Sequence, residues 1–452
     1  MSVARTQSSP SVTTGTAHVL ALSIVQYLLG FVSSAIVTRA LGPAGRGAYY
    51  LPILAATTAI AVGKLGVDQA NVFLYGTSGI SRQRLAAQNG IIALGCGLLL
   101  GAILPLLPRI APGTFGDTPV AWLLIAAVTI PLGLHSQLTG PLWALIGRVR
   151  RQYAAGVAAG AVQVIIACVL FATGRLTVTT ALILSLAGSV IMWAVIAAPL
   201  AGGRRAWLAW DTALLKTTLR SALVLHLGMT LFFLHLRVDM FMVEAWLGAA
   251  PLGQYSIAVT LAETLMLATD AVAVAVLPGQ MTNTLAEAAV RALRAARVNA
   301  LLGSALACAA ALACGPAIRL VYGSAYNPAV WPMIVLLPGV VFMGMQRVCG
   351  APALRAGKPE RIAAIYAFTL GLNIVLNVLW IPRFGISGAS LASTVSYAVG
   401  SLLFLIWTAR MASLPLSQAI RFDAADRDAA ASAARSMLAL ARGLISPARE
   451  PL

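Results

Sequence analysis

Charge is scarce in this 452-residue chain: only 10% of its residues are Asp, Glu, Lys or Arg, against 60% that are hydrophobic. A soluble surface needs about a quarter of a chain's residues charged, so the composition excludes a water-soluble fold and implies an integral membrane protein. Acidic residues are rarer still, with 13 Asp and Glu against 31 Lys and Arg. Cysteine is limited to Cys96, Cys168, Cys308, Cys314 and Cys349, all in or at the ends of apolar stretches and with no Cys-x-x-Cys pair. That pattern offers neither a disulfide framework nor a metal site, and the five are expected as small buried hydrophobes. Ten-residue segments of alternating polarity are also missing, which excludes a membrane β-barrel.

What is abundant is apolar runs long enough to cross a bilayer as helices, about 20 residues each. They fall at 16–40, 48–75, 84–107, 119–146, 153–173, 177–201, 217–246, 252–280, 293–315, 329–354, 361–381 and 386–409. The expected fold is therefore an all-α polytopic membrane protein with about twelve transmembrane helices. The first run lacks a short apolar core and a small-residue cleavage site, so it is expected to be a retained helix, not a signal peptide. Basic residues sort by loop. Loops after even-numbered spans carry clusters such as Arg148, Arg150 and Arg151, or Arg355, Lys358 and Arg361; those after odd-numbered spans carry Arg39, Arg46, Arg109, Arg175, Arg319 and Arg383. The asymmetry predicts that the even loops and both termini are cytoplasmic. The net charge of +18 thus reads as topology, not as a nucleic-acid-binding surface.

The chain also repeats itself. Leu41-Gly42-Pro43-Ala44-Gly45-Arg46-Gly47-Ala48-Tyr49 returns loosely as Leu247-Gly248-Ala249-Ala250-Pro251-Leu252-Gly253-Gln254-Tyr255, 206 positions later. Pro119 and Trp122 match Pro328 and Trp331, and Gly140, Gly147 and Arg151 match Gly350, Gly357 and Arg361. Two pseudo-symmetric six-helix lobes around a central cavity follow, at 1–201 and 217–410, with a cytoplasmic interfacial linker at 202–216 and a cytoplasmic tail at 411–452. An even number of spans per lobe makes the repeats parallel, a plan that recurs in transporters. The glycine-rich turns are expected on the external side, as hinges or tight corners. In the tail, Asp423 and Asp426 are placed to cap an amphipathic helix.

Ionisable groups within spans are costly, so each is a candidate functional group. Lys64, Asp68, Asn71 and Tyr75 follow i, i+4, i+7, i+11 spacing and share one helix face. Lys64 and Asp68 can equally be a self-neutralising pair. In the seventh span His226, Thr230, Phe233, Arg237, Phe241 and Glu244 form a second stripe, with His235 and Asp239 at i, i+4 on another side. Arg237 is the best candidate for gripping an oxyanion, because its planar fork stays charged; a salt bridge to a neighbouring helix is the alternative. Lys64, Arg237 and Asn71 are thus the expected substrate-binding residues. Asp68, Asp270 and Glu263 are the expected ion-coupling carboxylates, and Asp270, which stands at the repeat position of Lys64, is a candidate to meet it across the cleft. Gln26, Gln137, Gln163, Gln346, Asn373 and Asn377 are expected to make interhelical hydrogen bonds. No catalytic residue, cofactor or metal is expected.

Thr38-Arg39-Ala40-Leu41-Gly42-Pro43-Ala44-Gly45-Arg46-Gly47-Ala48-Tyr49, with Leu65-Gly66-Val67-Asp68 and Phe384-Gly385-Ile386-Ser387-Gly388-Ala389-Ser390-Leu391-Ala392, resembles the polysaccharide-transporter (O-antigen, Wzx-type) family of lipid-linked oligosaccharide flippases. The resemblance implies the multidrug/oligosaccharidyl-lipid/polysaccharide exporter fold, a V of two lobes. It also implies transfer of undecaprenyl-diphosphate-linked sugars across the bacterial plasma membrane for cell-surface polysaccharide biosynthesis, by alternating access with ion coupling, beside polymerases or glycosyltransferases. A multidrug antiporter and a peptidoglycan-precursor flippase remain open alternatives. A membrane polysaccharide polymerase or ligase is disfavoured, because the longest external loops expected, near 108–118 and 316–328, are short.

Overall fold

The computed structural model describes residues 12–78, 80–200, 211–282 and 284–445. Among them the regular structure is helical, in two successive bundles. The first comprises α1 (Val12–Gly63), α2 (Val67–Ser78), α3 (Arg82–Ile103), α4 (Val120–Leu145), α5 (Val149–Ala172) and α6 (Val178–Ile196). The second comprises α7 (Thr212–His235), α8 (Val238–Leu247), α9 (Ala249–Thr282), α10 (Leu285–Val321), α11 (Val330–Arg355), α12 (Pro359–Phe384) and α13 (Ile386–Met411), and is followed by α14 (Ala424–Ile445). Ten stretches among the described residues are long and apolar enough to cross a membrane. One of them, Ala21–Gly63, holds most of the first expected span and the start of the second, whose remainder falls in α2, and α9 covers the expected eighth. Residues 202–210 of the expected linker lie outside the described residues; Asp211 then caps α7, its Oδ1 accepting from the Leu214 N–H at 3.0 Å.

The repeat is visible in where the helices break. Gly42 (φ 65°, ψ 178°) kinks α1, and Gly248 (φ 84°, ψ −174°) separates α8 from α9. A side chain at such a φ is disfavoured sterically, and a proline one residue on, as at Pro43, suits the first turn of a new helix. The sequence suggests a hinge or tight corner at each place, and the helix breaks there around a single glycine while the chain stays helical on both sides. Gly147 and Gly357, also at positive φ, end α4 and α11 alike.

The two glycine turns meet. A Cβ added to Gly47 would lie 1.8 Å from the Ala249 carbonyl oxygen, and one added to Gly253 would lie 2.0 Å from that of Pro43. Backbones touch here because neither residue has a side chain. Arg46, buried in the same seam, donates from Nε to Ser256 Oγ at 3.3 Å and lies over the Tyr49 and Tyr50 rings. Beside it Tyr326 Oη donates to the Thr38 carbonyl at 2.9 Å, and Arg39 Nη1 to that of Leu320 at 3.2 Å. One apolar core runs through both bundles, joining Leu51, Leu54, Ile130 and Leu134 to Met240, Val243, Tyr255 and Leu336.

The tail helix α14 is docked. Ala430, with Ala429, Ala433 and Ala434 beside it, packs on Ala292, Ala295, Val298 and Leu302 of α10. Asp426, buried under α14, accepts from Arg297 Nε at 2.7 Å, while Arg297 Nη1 reaches the Ala419 carbonyl at 3.0 Å. Asp423 Oδ1 accepts from the Asp426 N–H at 2.7 Å, capping the helix.

Candidate functional site

A cavity of 650 Å³ opens between the bundles, within the ~300–1,000 Å³ range of small-molecule sites. α1 contributes Gln26, Tyr27, Gly30, Phe31 and Ser34; α5 contributes Gln152 and Tyr153; α9 contributes Thr260, Glu263, Thr264 and Met266. Met192 of α6, Arg347 of α11, Leu236 and Arg237 complete it. Arg237 reaches the cavity because the seventh span is not one helix. α7 ends at His235, and Arg237 (φ −130°, ψ −18°) is the residue from which α8 restarts. A discontinuous membrane helix with its ends at mid-depth is a recurring way to place polar groups at a transport site.

Arg237 is held by Glu263. Its Nη1 donates to Glu263 Oε1 at 2.6 Å and its Nη2 to Oε2 at 3.0 Å, the bidentate geometry that guanidinium and carboxylate favour. The guanidinium also lies over the Phe233 ring, and that of Arg347 over Phe232, at 5.9 and 6.0 Å from the ring centroids. Two arginines and one glutamate leave the lining with an excess of positive charge. The carboxylate occupies both arms of the Arg237 guanidinium.

Behind the cavity lies a buried polar network that the sequence reading did not assemble. Asp239, in the first turn of α8, accepts from Tyr255 Oη and from Ser393 Oγ (2.9 Å), and its own helix supplies the Met240 N–H at 2.8 Å. Asn373 Nδ2 reaches both Ser393 Oγ and Ser396 Oγ, at 3.3 and 3.1 Å. Ser396 is bonded to His235 Nε2 at 2.8 Å, and Asn377 Nδ2 donates to Asn373 Oδ1 at 2.8 Å. His235 and Asp239, paired by spacing, therefore act through separate serines of α13. Asn373 and Asn377 make hydrogen bonds, as expected of membrane amides, and organise this network in doing so. A void of 10 Å³, about the space of one water, is lined by both Asp239 and Glu263 and connects the network to the cavity wall.

The other expected residues lie elsewhere. Lys64 and Asp68 pair at 3.6 Å across a break, Lys64 to Gly66, that splits the second span into the end of α1 and α2. Leu65 and Gly66 both take positive φ there, and Gly66 lets α7 approach so closely that an added Cβ would lie 2.9 Å from His226 Cβ. Asn71 is fully buried, donating to Asn89 Oδ1 at 2.7 Å, and Asn89 in turn donates to the Leu138 carbonyl at 2.9 Å. That amide pair pins α2 to α3 and α4, and Asn71 does not line the 650 Å³ cavity. The side chain of Asp270 lies outside the described residues. Among the described residues no group of three or more His, Cys, Asp and Glu side chains is placed to hold a metal ion.

No protein-family model matches the chain. Of solved structures, an inward-facing multidrug resistance MATE family transporter of the MOP superfamily superposes with a TM-score of 0.68 at 15% identity, over 89% of this chain and 99% of that one. The lipid II flippase MurJ, in an inward closed conformation, gives a TM-score of 0.69 at 15% identity, over 96% of this chain and 93% of its own. A stretch of 84 residues is 30% identical to the probable low-salt glycan biosynthesis flippase Agl15 of Haloferax volcanii; it makes up 19% of this chain and spans only 18% of that protein. The architecture of this chain is the two-bundle helical fold shared by the MATE and MurJ transporters.

Proposed function

We propose that the protein is a flippase that carries a diphosphate-linked glycolipid between the leaflets of a bacterial plasma membrane by alternating access. The observation that carries this reading is the Arg237–Glu263 fork in the wall of a cavity between two bundles, with Arg347 lining the same cavity. A diphosphate competes for the guanidinium that Glu263 holds, while the lipid tail stays in the bilayer-facing gap. The lobes at 1–201 and 217–410 rock about the Gly47–Ala249 seam, tethered by 202–216, with both termini and the cavity mouth on the cytoplasmic side. An undecaprenyl carrier, and glycosyltransferases and a polymerase as functional neighbours, complete the reading.

Ion coupling fits the same place. When substrate takes Arg237, Glu263 loses its counter-charge and is left open to a coupling cation. The void to Asp239 gives that cation a second, buried carboxylate. Asp68, in the first bundle, and Asp270 remain candidates for the same role.

The test is reconstitution of the purified chain in liposomes with undecaprenyl-diphosphate oligosaccharide on one leaflet. Transfer that depends on an imposed ion gradient and falls in Arg237→Ala is the expected result. Transport of cationic dyes with no glycolipid transfer would instead favour a multidrug antiporter, the one alternative that the Glu263 carboxylate and the Tyr27, Phe31 and Tyr153 rings suit.

A further inference from the structure

The first bundle contains a second hollow, of 430 Å³, walled by α1, α4, α5 and α6. Gln26, Gly30 and Met192 line both it and the central cavity, so the two adjoin at these three residues. Their chemistry differs. The central cavity carries Arg237, Glu263 and Arg347; the hollow carries Thr, Ser and Gln side chains and no ionisable group.

The hydroxyls there are oriented. Thr57 donates to the carbonyls of Ile53 and Leu54 at 2.9 and 3.0 Å, Thr129 to Ala126 at 2.6 Å, Ser136 to Leu132 at 2.8 Å and Ser189 to Ser185 at 3.1 Å. Each hydrogen is committed to the helix's own backbone, so each oxygen offers lone pairs to the hollow. A wall of acceptors favours a ligand rich in O–H and N–H donors. Beyond the neutral amides of Gln26, Gln137 and Gln163 it offers nothing to a carboxylate, and it holds no counter-charge for either a carboxylate or an ammonium, whose burial unpaired is costly. The amides are seated just as definitely. A Cβ on Gly156 would fall 2.3 Å from Gln26 Cδ, and one on Gly188 2.0 Å from Gln163 Nε2, so these two glycines are the notches into which the glutamines fold.

We propose that this hollow is the sugar subsite, and that it selects lipid-linked glycans whose membrane-proximal sugars are uncharged polyols. This rests on the flippase reading, with the diphosphate at Arg237 and the first sugars reaching past Gln26 into the hollow. The neutral wall and the charged cavity then read the two chemically distinct parts of one headgroup.

Two probes that differ only at C6 of the sugar test it: undecaprenyl diphosphate bearing glucose, and the same lipid bearing glucuronate. In liposomes holding the full chain, the glucosyl lipid is expected to cross roughly ten-fold faster or more, the discrimination that one unpaired buried polar group gives. Ser136→Arg, which places a cation in the hollow, is expected to shift the preference toward the glucuronosyl lipid. Equal wild-type rates for both lipids, with both lost in Arg237→Ala, would overturn the subsite while leaving the flippase standing. Transfer of neither lipid by the wild type would remove the flippase reading and this proposal with it. Because the wild-type comparison needs no variant, it decides even if Ser136→Arg fails to fold.

Discussion

The two bundles descend from one pattern and have diverged in opposite directions. In the most apolar windows of α11 and α13, 56% of residues are buried, against 28% and 33% in α4 and α6, their repeat counterparts. The second bundle fills its interior with a connected polar network around Asp239, whereas the first leaves a neutral hollow walled by hydroxyls and amides. Duplication supplied the frame, seen in the paired breaks at Gly42 and Gly248 and at Gly147 and Gly357. On the flippase reading proposed above, the packed interior around Asp239 suits ion binding and the neutral hollow of the first bundle suits a bulky uncharged ligand.

Removing the charge from the packed half should have the largest effect. Asp239→Ala leaves Tyr255, Ser393 and the Met240 N–H without their buried acceptor, at a cost of about 1–3 kcal/mol of stability for each donor left unpaired. Asp239→Asn keeps the shape and most of the hydrogen bonds, so it should fold with a modest loss while transport no longer responds to an ion gradient. Thermal unfolding and gradient-driven flux, measured on both variants, separate the two effects; an Asn variant that stays fully coupled would remove Asp239 from the mechanism.

The seam that holds the halves together comes next. Gly47→Ala must push the Ala249 carbonyl away from a position 1.8 Å from the new Cβ, and overpacking of this kind is expected to cost about 1–3 kcal/mol. The same substitution at Gly113, around which an added Cβ meets nothing, should be close to neutral. Equal thermal stability of the two variants would show that the seam yields without cost.

Much of this comparison was legible in the sequence, and the reasons for the rest are local. The repeat, the helical membrane fold and Arg237 as a cavity residue follow from hydropathy, glycine spacing and the cost of a buried guanidinium. The breaks at Leu65–Gly66 and Leu236–Arg237 do not, because apolar residues continue across them and periodicity extrapolates one straight helix. That extrapolation put Lys64, Asp68 and Asn71 on one face, when a turn of non-helical backbone stands between the first and the others. Ser393 and Ser396 look like filler, as single hydroxyls in an apolar run do, and Tyr255 reads only as part of the repeat. The available signal was the spacing of Ser390, Ser393 and Ser396 every third residue on α13, opposite Asn373 and Asn377 on α12.

Undoing the fork at the boundary between the halves should have a smaller effect on folding. Glu263→Gln frees Arg237 from its ion pair and removes a competitor for an anionic ligand. Affinity for inorganic pyrophosphate, measured by displacement in detergent, is expected to rise by roughly ten-fold, the equivalent of ~1.4 kcal/mol, while stability falls by about 1–3 kcal/mol. Unchanged affinity would mean that Glu263 does not occupy the ligand's place.

The smallest effect is expected at the edge of the second bundle, where α14 is docked. Burial works against the charged form of Asp426, but the hydrogen bonds from Arg297 and from the Asp423 N–H, with the charges of Arg297 and Arg294, outweigh it and hold the carboxyl below its ordinary 3.8. A carboxylate with a depressed folded pKa contributes stability that is complete above the unfolded value and is lost as pH falls through the folded one. Hydrogen-exchange protection of residues 424–445 should therefore persist from neutral pH down through about pH 5 and disappear only in stronger acid. Asp426→Asn should weaken that protection at neutral pH by roughly 1–3 kcal/mol, the difference vanishing in strong acid, while leaving α1 to α6 unaffected, because the first bundle has no counterpart of this contact among the described residues. A loss of protection that spread into the first bundle would mean that the tail braces both halves and not the packed one alone.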